Sequence, residues 1–365
     1  MRHPPPPCTP RPLWDRRQFA LGASVSLALA LAATARARAT ATEVLRVLAW
    51  PGYADADIVK TFEQRMGCQV EVTMVDSDVD LWQKISLHQA QNFDVFAVNT
   101  AELQRYIRQN WVQPIATATL PLLAKQLPRF QNRVAIPGLV HGGKTYAIPY
   151  TYAEMGLVYD RQQIRQAPTT INALWDPRYQ GKVIAYSAGT HNFALAAQAL
   201  GWASPFRLAD NQWPQAVDKL IALRRNAAVF YTQPEESLDL FKRHRAALLF
   251  ANYGRQQEVL FRAAGLDVGY AIPQEGALAW LDCWAITRGA TNPVLAAAWI
   301  NYLLEPEPGQ VLVQRQGLAN TTSASPEYRA DDRLLWLEPV ESEERRNLLW
   351  SRIVSGDRAR KVLAP

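Results

Sequence analysis

The stretch VLRVLAWPGY, from Val44 to Tyr53, decides how this chain is read. Val44, Leu45, Val47, Leu48 and Ala49 form the short apolar run that a buried strand needs, and Pro51-Gly52 can only be a turn. Trp50 and Tyr53 flank that turn. Open α/β sheets bind ligands in the crevice outside the carboxyl ends of their strands, so an aromatic loop at a strand end predicts one wall of a binding cleft.

Outward from this stretch the pattern repeats. Ile58, Val59 and Phe62 recur at helical spacing in a segment from Ala54 to Arg65, which Gly67 ends. Val70 to Val75 alternates as a strand, Leu81 to Ala90 reads as a helix, Asp94 to Val98 as a buried strand and Ala101 to Gln109 as a helix. Strands alternating with helices specify a parallel sheet with covering helices. Asp76-Ser77-Asp78-Val79-Asp80 opens like a calcium loop, but the sixth position is Leu81 instead of Gly and the twelfth is Leu87 instead of Glu. These acids are expected to cap the following helix.

Gly138 to Thr145 fits the phosphate-loop pattern GxxxxGK[ST], which needs a helix to start at the Lys-Thr pair. Thr145 to Ile148 is β-like and Pro149 follows at once, so a hairpin turn is expected there. Pro149 to Tyr152 reads as a crossover between strands. Beyond it a second series is expected. Its strands are Met155 to Tyr159, Val183 to Tyr186 and Val229 to Tyr231, and its helices Phe193 to Leu200, Gln215 to Arg224, Glu235 to Arg243 and Gln256 to Ala264. Asn252-Tyr253-Gly254 is a turn. Ala279 to Ile286 is an apolar run holding one carboxylate, Asp282, whose unpaired burial would cost several kcal/mol, so it must face a partner. Pro293 to Leu304 is expected to be a helix, Leu334 to Val340 irregular, and Glu341 to Ile353 a terminal amphipathic helix.

A length of 365 residues predicts two domains of comparable size, and 48% hydrophobic with 20% charged residues is globular. The formal net charge of +6 is concentrated at the N-terminus. Residues 1–39 hold six Arg against Asp15, a balance of +5, which leaves about +1 elsewhere and no basic patch for nucleic acid. Arg16-Arg17, an apolar run and the small-x-small site Ala37-Arg38-Ala39 resemble a twin-arginine signal peptide cleaved after about Ala39. A membrane anchor is the alternative, but the run is short of the roughly 20 apolar residues that a span needs. A periplasmic protein is expected. Cys68 and Cys283 remain after cleavage and are expected to be two buried thiols, with a disulfide as the alternative.

The five His are scattered, no metal spacing occurs, and neither GxSxG nor SxxK is present. No catalytic constellation, metal or cofactor is expected, and the chain reads as a binding protein. Twelve Trp and thirteen Tyr suit a core and stacking surfaces.

LRVLAWPGY, FDVFAVNT, GKTYAIPY, LWDPRYQGKV, GYAIPQEGALAWLDCWAI and INYLLEP, in this order and spacing, resemble extracellular solute-binding proteins of the spermidine/putrescine-binding group, the receptors of ATP-binding-cassette importers. The resemblance runs from about Leu45 to Arg360. It implies an α/β, two-lobed periplasmic binding protein fold of type II with a ligand cleft between the lobes. Lobe 1 would be residues 44–149 plus 282–325, and lobe 2 residues 150–281 plus 326–365. It also implies a monomer that delivers a small-molecule amine to an inner-membrane permease. A ligand-binding partner of a membrane sensor, or an exported enzyme on the same scaffold, are the alternatives.

In that family aromatic rings box the polyamine and carboxylates anchor its ammonium ends. The resemblance then implies ligand contacts for Trp50 and Tyr53, Asn99, Asn252 or Tyr253, and Trp280 with Asp282. The second-lobe motif that supplies two acids reads Ala188-Gly189-Thr190-His191 here, and a pocket Tyr is replaced by Leu318. Glu154 and His191 are candidate replacements for the missing acids, and Arg255 beside the turn would favour a carboxylate-bearing ligand if it faced the cleft. One assured acid predicts a ligand with a single cationic centre, since a buried unpaired ammonium is costly.

Overall fold

The computed structural model describes residues 42–324 and 332–364; the expected signal peptide lies outside them. Strands β1 (Val44–Ala49), β2 (Gln69–Met74) and β3 (Val95–Asn99) are parallel, and the helices Ala56–Met66 and Asp78–Leu87 connect them. After the helix Thr100–Arg108 comes a hairpin of β4 (Val140–His141) and β5 (Lys144–Thr145). Its two turn residues, Gly142 and Gly143, have φ of 56° and 73°, a conformation that side chains disfavour and that hairpin turns use. No helix starts at Lys144-Thr145, so the phosphate-loop pattern is empty of meaning here.

β6 (Ala147–Met155) leads through Gly156 into β7 (Leu157–Asp160). A second α/β series follows, with β8 (Val183–Tyr186), β9 (Ala227–Tyr231), β10 (Leu248–Phe250) and β11 (Val268–Ala271). The chain then returns as β12 (Ala277–Ile286), β13 (Ala319–Asn320) and β14 (Leu334–Trp336). Two sheets result. The first has the order β13-β6-β12-β3-β1-β2 with β14 on β12, and the second β11-β7-β10-β8-β9.

Both faces of the first sheet are buried at its centre, which is why β3 and β12 read as near-continuous apolar runs, whereas the edge strand β2 is exposed or half-buried throughout. Leu45, Val47, Ala49, Ala97, Trp284 and Ile286 face Leu295, Trp299 and Ile300 of the helix Pro293–Leu303. On the other face Leu48, Phe96, Val98, Leu281 and Cys283 pack on Leu81, Ile85, Leu103 and Tyr106. Cys68 and Cys283 are buried free thiols. The second sheet is covered in the same way, by Phe193, Trp213 and Leu220 on one side and by Phe241 and Phe261 on the other.

Three local expectations give way. The helix expected from Leu81 begins at Asp78, and its cap is Ser77, whose Oγ accepts from the Asp80 N–H at 3.2 Å. The acids therefore occupy the first turn, where the helix dipole favours them. Pro149 to Tyr152 is part of β6 itself instead of a link between strands. A bulge makes this possible: Cys283 pairs with Pro149 and Asp282 with Thr151, leaving Tyr150 as the extra residue. Residues 334–336 form β14 on β12 instead of irregular chain, because Leu334 and Trp336 add to the apolar face around Phe130 and Tyr152.

Three segments pass between the sheets: β6 to β7, β11 to β12, and β14 to the helix Glu343–Val354. Gly156 at the first passage allows the Tyr270 ring to close on the backbone, since an added Cβ would lie 2.6 Å from it. The helix Glu343–Val354 is bolted to the second half by Arg346, which is fully buried and paired with Glu341 at 2.9 Å. Arg346 also donates to the Thr190 and Pro205 carbonyls at 3.0 and 3.3 Å. Among the described residues no helix is long and apolar enough to cross a membrane.

Candidate functional site

The carboxyl ends of β1 and β3, with the middle of β12, form one wall of the cleft. Tyr53 is fixed by the Trp50-Pro51-Gly52 turn, in which its N–H donates to the Trp50 carbonyl at 3.1 Å and Gly52 takes φ 82°. Its hydroxyl donates to Asp282 Oδ2 at 2.6 Å. The bulged Tyr150 supports it edge-on, with ring centroids 5.5 Å apart. Trp50 is half-buried and its Nε1 has no partner. Trp280, two residues before Asp282 and on the same face of β12, is half-buried between the cores of the two halves.

Asp282 is 8% exposed, and Tyr53 is its one hydrogen-bond donor among the described residues. Burial pushes its carboxyl up to about 7, against the pull of the Tyr53 hydroxyl. Asn99 lies directly opposite Asp282 in the β3–β12 ladder. Its Oδ1 caps the helix Thr100–Arg108 by accepting from the Glu102 N–H at 2.9 Å, and its Nδ2 donates to Asp78 Oδ1 at 3.1 Å. Asn99 is thus bonded to Asp78 through its side chain and is the ladder partner of Asp282. Burial, and then the nearby Asp282 charge, push Asp78 up to about 7 as well. Glu102 is also raised to about 7, by burial first and Asp78 second, although Arg105 contacts it at 2.5 Å.

The opposite wall comes from the carboxyl ends of the parallel strands β8, β9 and β10. Tyr186 ends β8 and stands 5.4, 5.7 and 6.0 Å, centroid to centroid, from Tyr231, His191 and Tyr253. Tyr253 is held by its hydroxyl, which donates to the Thr232 carbonyl at 2.8 Å. Asn252 is buried with Oδ1 unpaired, and its N–H donates to the Tyr231 hydroxyl at 2.9 Å. His191 lies in the first turn of the helix Gly189–Ala199; burial, then Arg346, lower its pKa to about 4. A neutral imidazole cannot replace a carboxylate. Burial raises the Tyr186 hydroxyl, and the Asp78 charge adds to the rise.

Glu154 stands apart from this group. It is three residues beyond Thr151, the partner of Asp282, and therefore projects from the other face of the sheet. It is 1% exposed and sits 3.3 Å from Arg255, and burial raises its pKa. Arg255 also contacts Glu258 at 3.0 Å and lies over the Tyr270 ring at 4.6 Å. Both side chains belong to a network between β6 and the helix Arg255–Ala263. Gly254 allows this approach, since an added Cβ would meet the Glu154 carbonyl at 2.8 Å. Leu318 is buried in the same core as Tyr53.

Asp78, Tyr186 and Glu102 were missed by the sequence reading. Asp78 and Tyr186 each lie at or just past the carboxyl end of a strand, β2 and β8, so the rule that singled out Trp50 applies to them as well.

A family model described as bacterial extracellular solute-binding protein matches residues 57–333. The spermidine/putrescine-binding periplasmic protein of Escherichia coli (strain K12) is 23% identical over 301 residues, 79% of this chain and 81% of the relative. The putrescine-binding periplasmic protein of the same strain is 26% identical over 284 residues, 73% of this chain and 74% of the relative. A solved spermidine/putrescine substrate-binding protein from Streptococcus pneumoniae superposes with a TM-score of 0.71 at 19% identity, covering 86% of this chain and 100% of that one. The fold is that of a two-lobed periplasmic binding protein.

Proposed function

Because the chain belongs to the bacterial extracellular solute-binding protein family, we propose that it is the periplasmic receptor of an ABC importer and captures a small cationic amine between its lobes. The observation that carries this is Asp282, a buried carboxylate on the cleft wall with a tyrosine hydroxyl but no cation for company. A ligand ammonium supplies the missing charge. Trp50, Trp280, Tyr186 and Tyr253 offer aromatic faces for its methylenes, and cation–π attraction adds to their burial. The names of the relatives support the same ligand chemistry.

The lobes in this reading divide at the three crossing segments, so residues 150–155, 277–281 and 334–336, expected in the second lobe, go with the first, whose sheet they complete as parts of β6, β12 and β14, and the lobes close about those segments. Export by the twin-arginine route, a monomeric state and delivery to an inner-membrane permease complete the proposal. Isothermal titration of the mature protein with diamines, polyamines and monoamines tests it. Micromolar or tighter binding of an amine, lost in Asp282→Asn, is expected. Absence of binding across the panel would overturn the proposal.

A further inference from the structure

We propose that Glu154 is a positioning residue for ligand capture: paired with Arg255 across the first passage between the sheets, it seats the Asn252-Tyr253 turn and holds the two cleft walls at one angle. This rests on the reading of the cleft as the binding site. Glu154 belongs to the first half, since it pairs with Ala279 in the β6–β12 ladder. Arg255 belongs to the second, as the first residue of the helix Arg255–Ala263, whose Phe261 packs with Val158 and Ile184 of the second sheet. Glu154 is 1% exposed and its Oε1 lies 3.3 Å from Arg255 Nε. Only Met155 and Gly156 separate it from β7. The ion pair therefore spans a point about which the halves must turn when they close.

Short steps join the pair to the cleft. Arg255 directly follows the Asn252-Tyr253-Gly254 turn, and its helix grips that turn through Gln257 Oε1, which accepts from the Tyr253 N–H at 3.1 Å. Gly254 lays the turn against β6, since an added Cβ would meet Ala153 Cβ and the Glu154 carbonyl at 2.8 Å. From the other side Tyr270 of β11 donates to the Glu154 carbonyl at 2.7 Å and accepts from the Gly156 N–H at 2.8 Å. The Glu154 side chain faces away from Asp282, so it acts on a ligand only through Arg255 and the turn. A buried ion pair adds little stability over apolar side chains of the same volume, and its best-attested use is to fix one arrangement against others. The charged and titratable groups around Glu154 are Tyr152 of β6, Arg255 and Glu258 of the helix, Tyr270 of β11, and Asp332. Burial raises the carboxyl to about 8, against the pull of Arg255, so the pair is mostly ionised at pH 8.5 and mostly protonated at pH 7.

Pulsed electron resonance on the ligand-free protein tests this, with spin labels at Leu87→Cys and Lys242→Cys, exposed positions on opposite halves. At pH 8.5 the labelled protein is expected to show one narrow interlobe distance, which broadens at pH 7. Glu154→Gln is expected to be broad at both. Identical narrow distributions for the two proteins at pH 8.5 would overturn the proposal. If Glu154→Gln fails to fold, the labelled protein alone decides, and a width that does not change with pH overturns it. Stopped-flow binding of 1,4-diaminobutane at pH 8.5 gives the second readout. Glu154→Gln should slow association about 3- to 10-fold with dissociation unchanged, because a smaller share of the protein is competent while the bound contacts are intact. Faster dissociation with unchanged association would place Glu154 on the ligand itself and overturn the positioning role. A wild-type protein that binds no amine removes the amine reading and leaves the resonance test standing.

Discussion

Tyr53 and Asp282, separated by 229 positions in sequence, meet in a buried 2.6 Å hydrogen bond from hydroxyl to carboxylate. The tyrosine is the group that lets a carboxyl with few other partners stay charged near neutrality, because hydrogen bonding to the charged form opposes the desolvation that raises it. Tyr53→Phe should therefore keep the fold but push Asp282 further up, and weaken amine binding about 10-fold at pH 7. Titrations at pH 7 and 8.5 check this; the loss should shrink at the higher pH, where the carboxyl ionises without help.

Amine capture should release protons. Asp78, Asp282 and Glu102 all titrate near 7 in the empty cleft, and a cationic ligand favours their charged forms. Arg105, Glu343 and the Tyr53 and Tyr186 hydroxyls are the other ionisable groups facing them. Affinity should rise between pH 6 and 8. At pH 7 the apparent binding enthalpy should be more exothermic in a buffer of larger ionisation enthalpy than in phosphate; equal heats would mean that no proton is exchanged.

The same three carboxyls make the ligand-free protein less stable as the pH rises. Their folded values lie above the ordinary 3.8 to 4.5, so the stability they contribute is complete below about pH 4 and is lost as the pH passes 7. His191 acts oppositely, staying neutral in the fold to about pH 4 and costing stability below 6.5. Between pH 8.5 and 6.5 these carboxyls act together with Glu154, which burial raises to about 8. The melting temperature should climb over that interval, and Asp282→Asn should flatten the climb.

Trp50→Ala should reduce amine affinity without unfolding the first lobe. The ring is half-buried with its Nε1 unpaired, so its loss leaves no tight cavity. A loss of about 10-fold with an unchanged circular dichroism spectrum is expected. Unchanged affinity would remove this side chain from the site.

Arg346→Ala should be among the most damaging changes. It strands Glu341 and the Thr190 and Pro205 carbonyls, and removing one member of a buried pair costs about 3–5 kcal/mol. The urea midpoint should fall accordingly, with the helix Glu343–Val354 the first part to lose protection from hydrogen exchange.

The periodicity of the chain exposes both sheets, because their central strands are apolar runs, β2 alternates and the helices between them carry regular stripes; β8 and β1 are legible to the residue. Strand and helix ends are less so. Ser77 and Asp78 both favour helix starts, and nothing local says which of them caps and which turns inward. β14 is invisible for a different reason: three residues carry no period, and only the open edge of β12 makes them a strand. Within the cleft, Tyr53 and Asp282 are suggested by their strands, whereas their contact depends on the Tyr150 bulge, which no spacing reveals. Glu154 is an acid in the right segment on the wrong face for Asp282, a distinction of parity that the bulge itself obscures.

β12 is the central partner in the first sheet, lying between β6 and β3, yet it reaches the ribosome exit after every strand of the second sheet. The second sheet, Leu157 to Ala271, is contiguous and can assemble as it emerges. The first must wait for a strand whose partner, β3, ended at Asn99, and closing that long loop is entropically costly and slow. Tyr53 and Asp282 therefore find each other in the last stage of assembly, and until then β3 and β6 stand as open edges. A nascent chain halted before residue 277 should hold one half with its sheet formed but its core still open where the helix Glu343–Val354 will dock, and another that lacks its central strand.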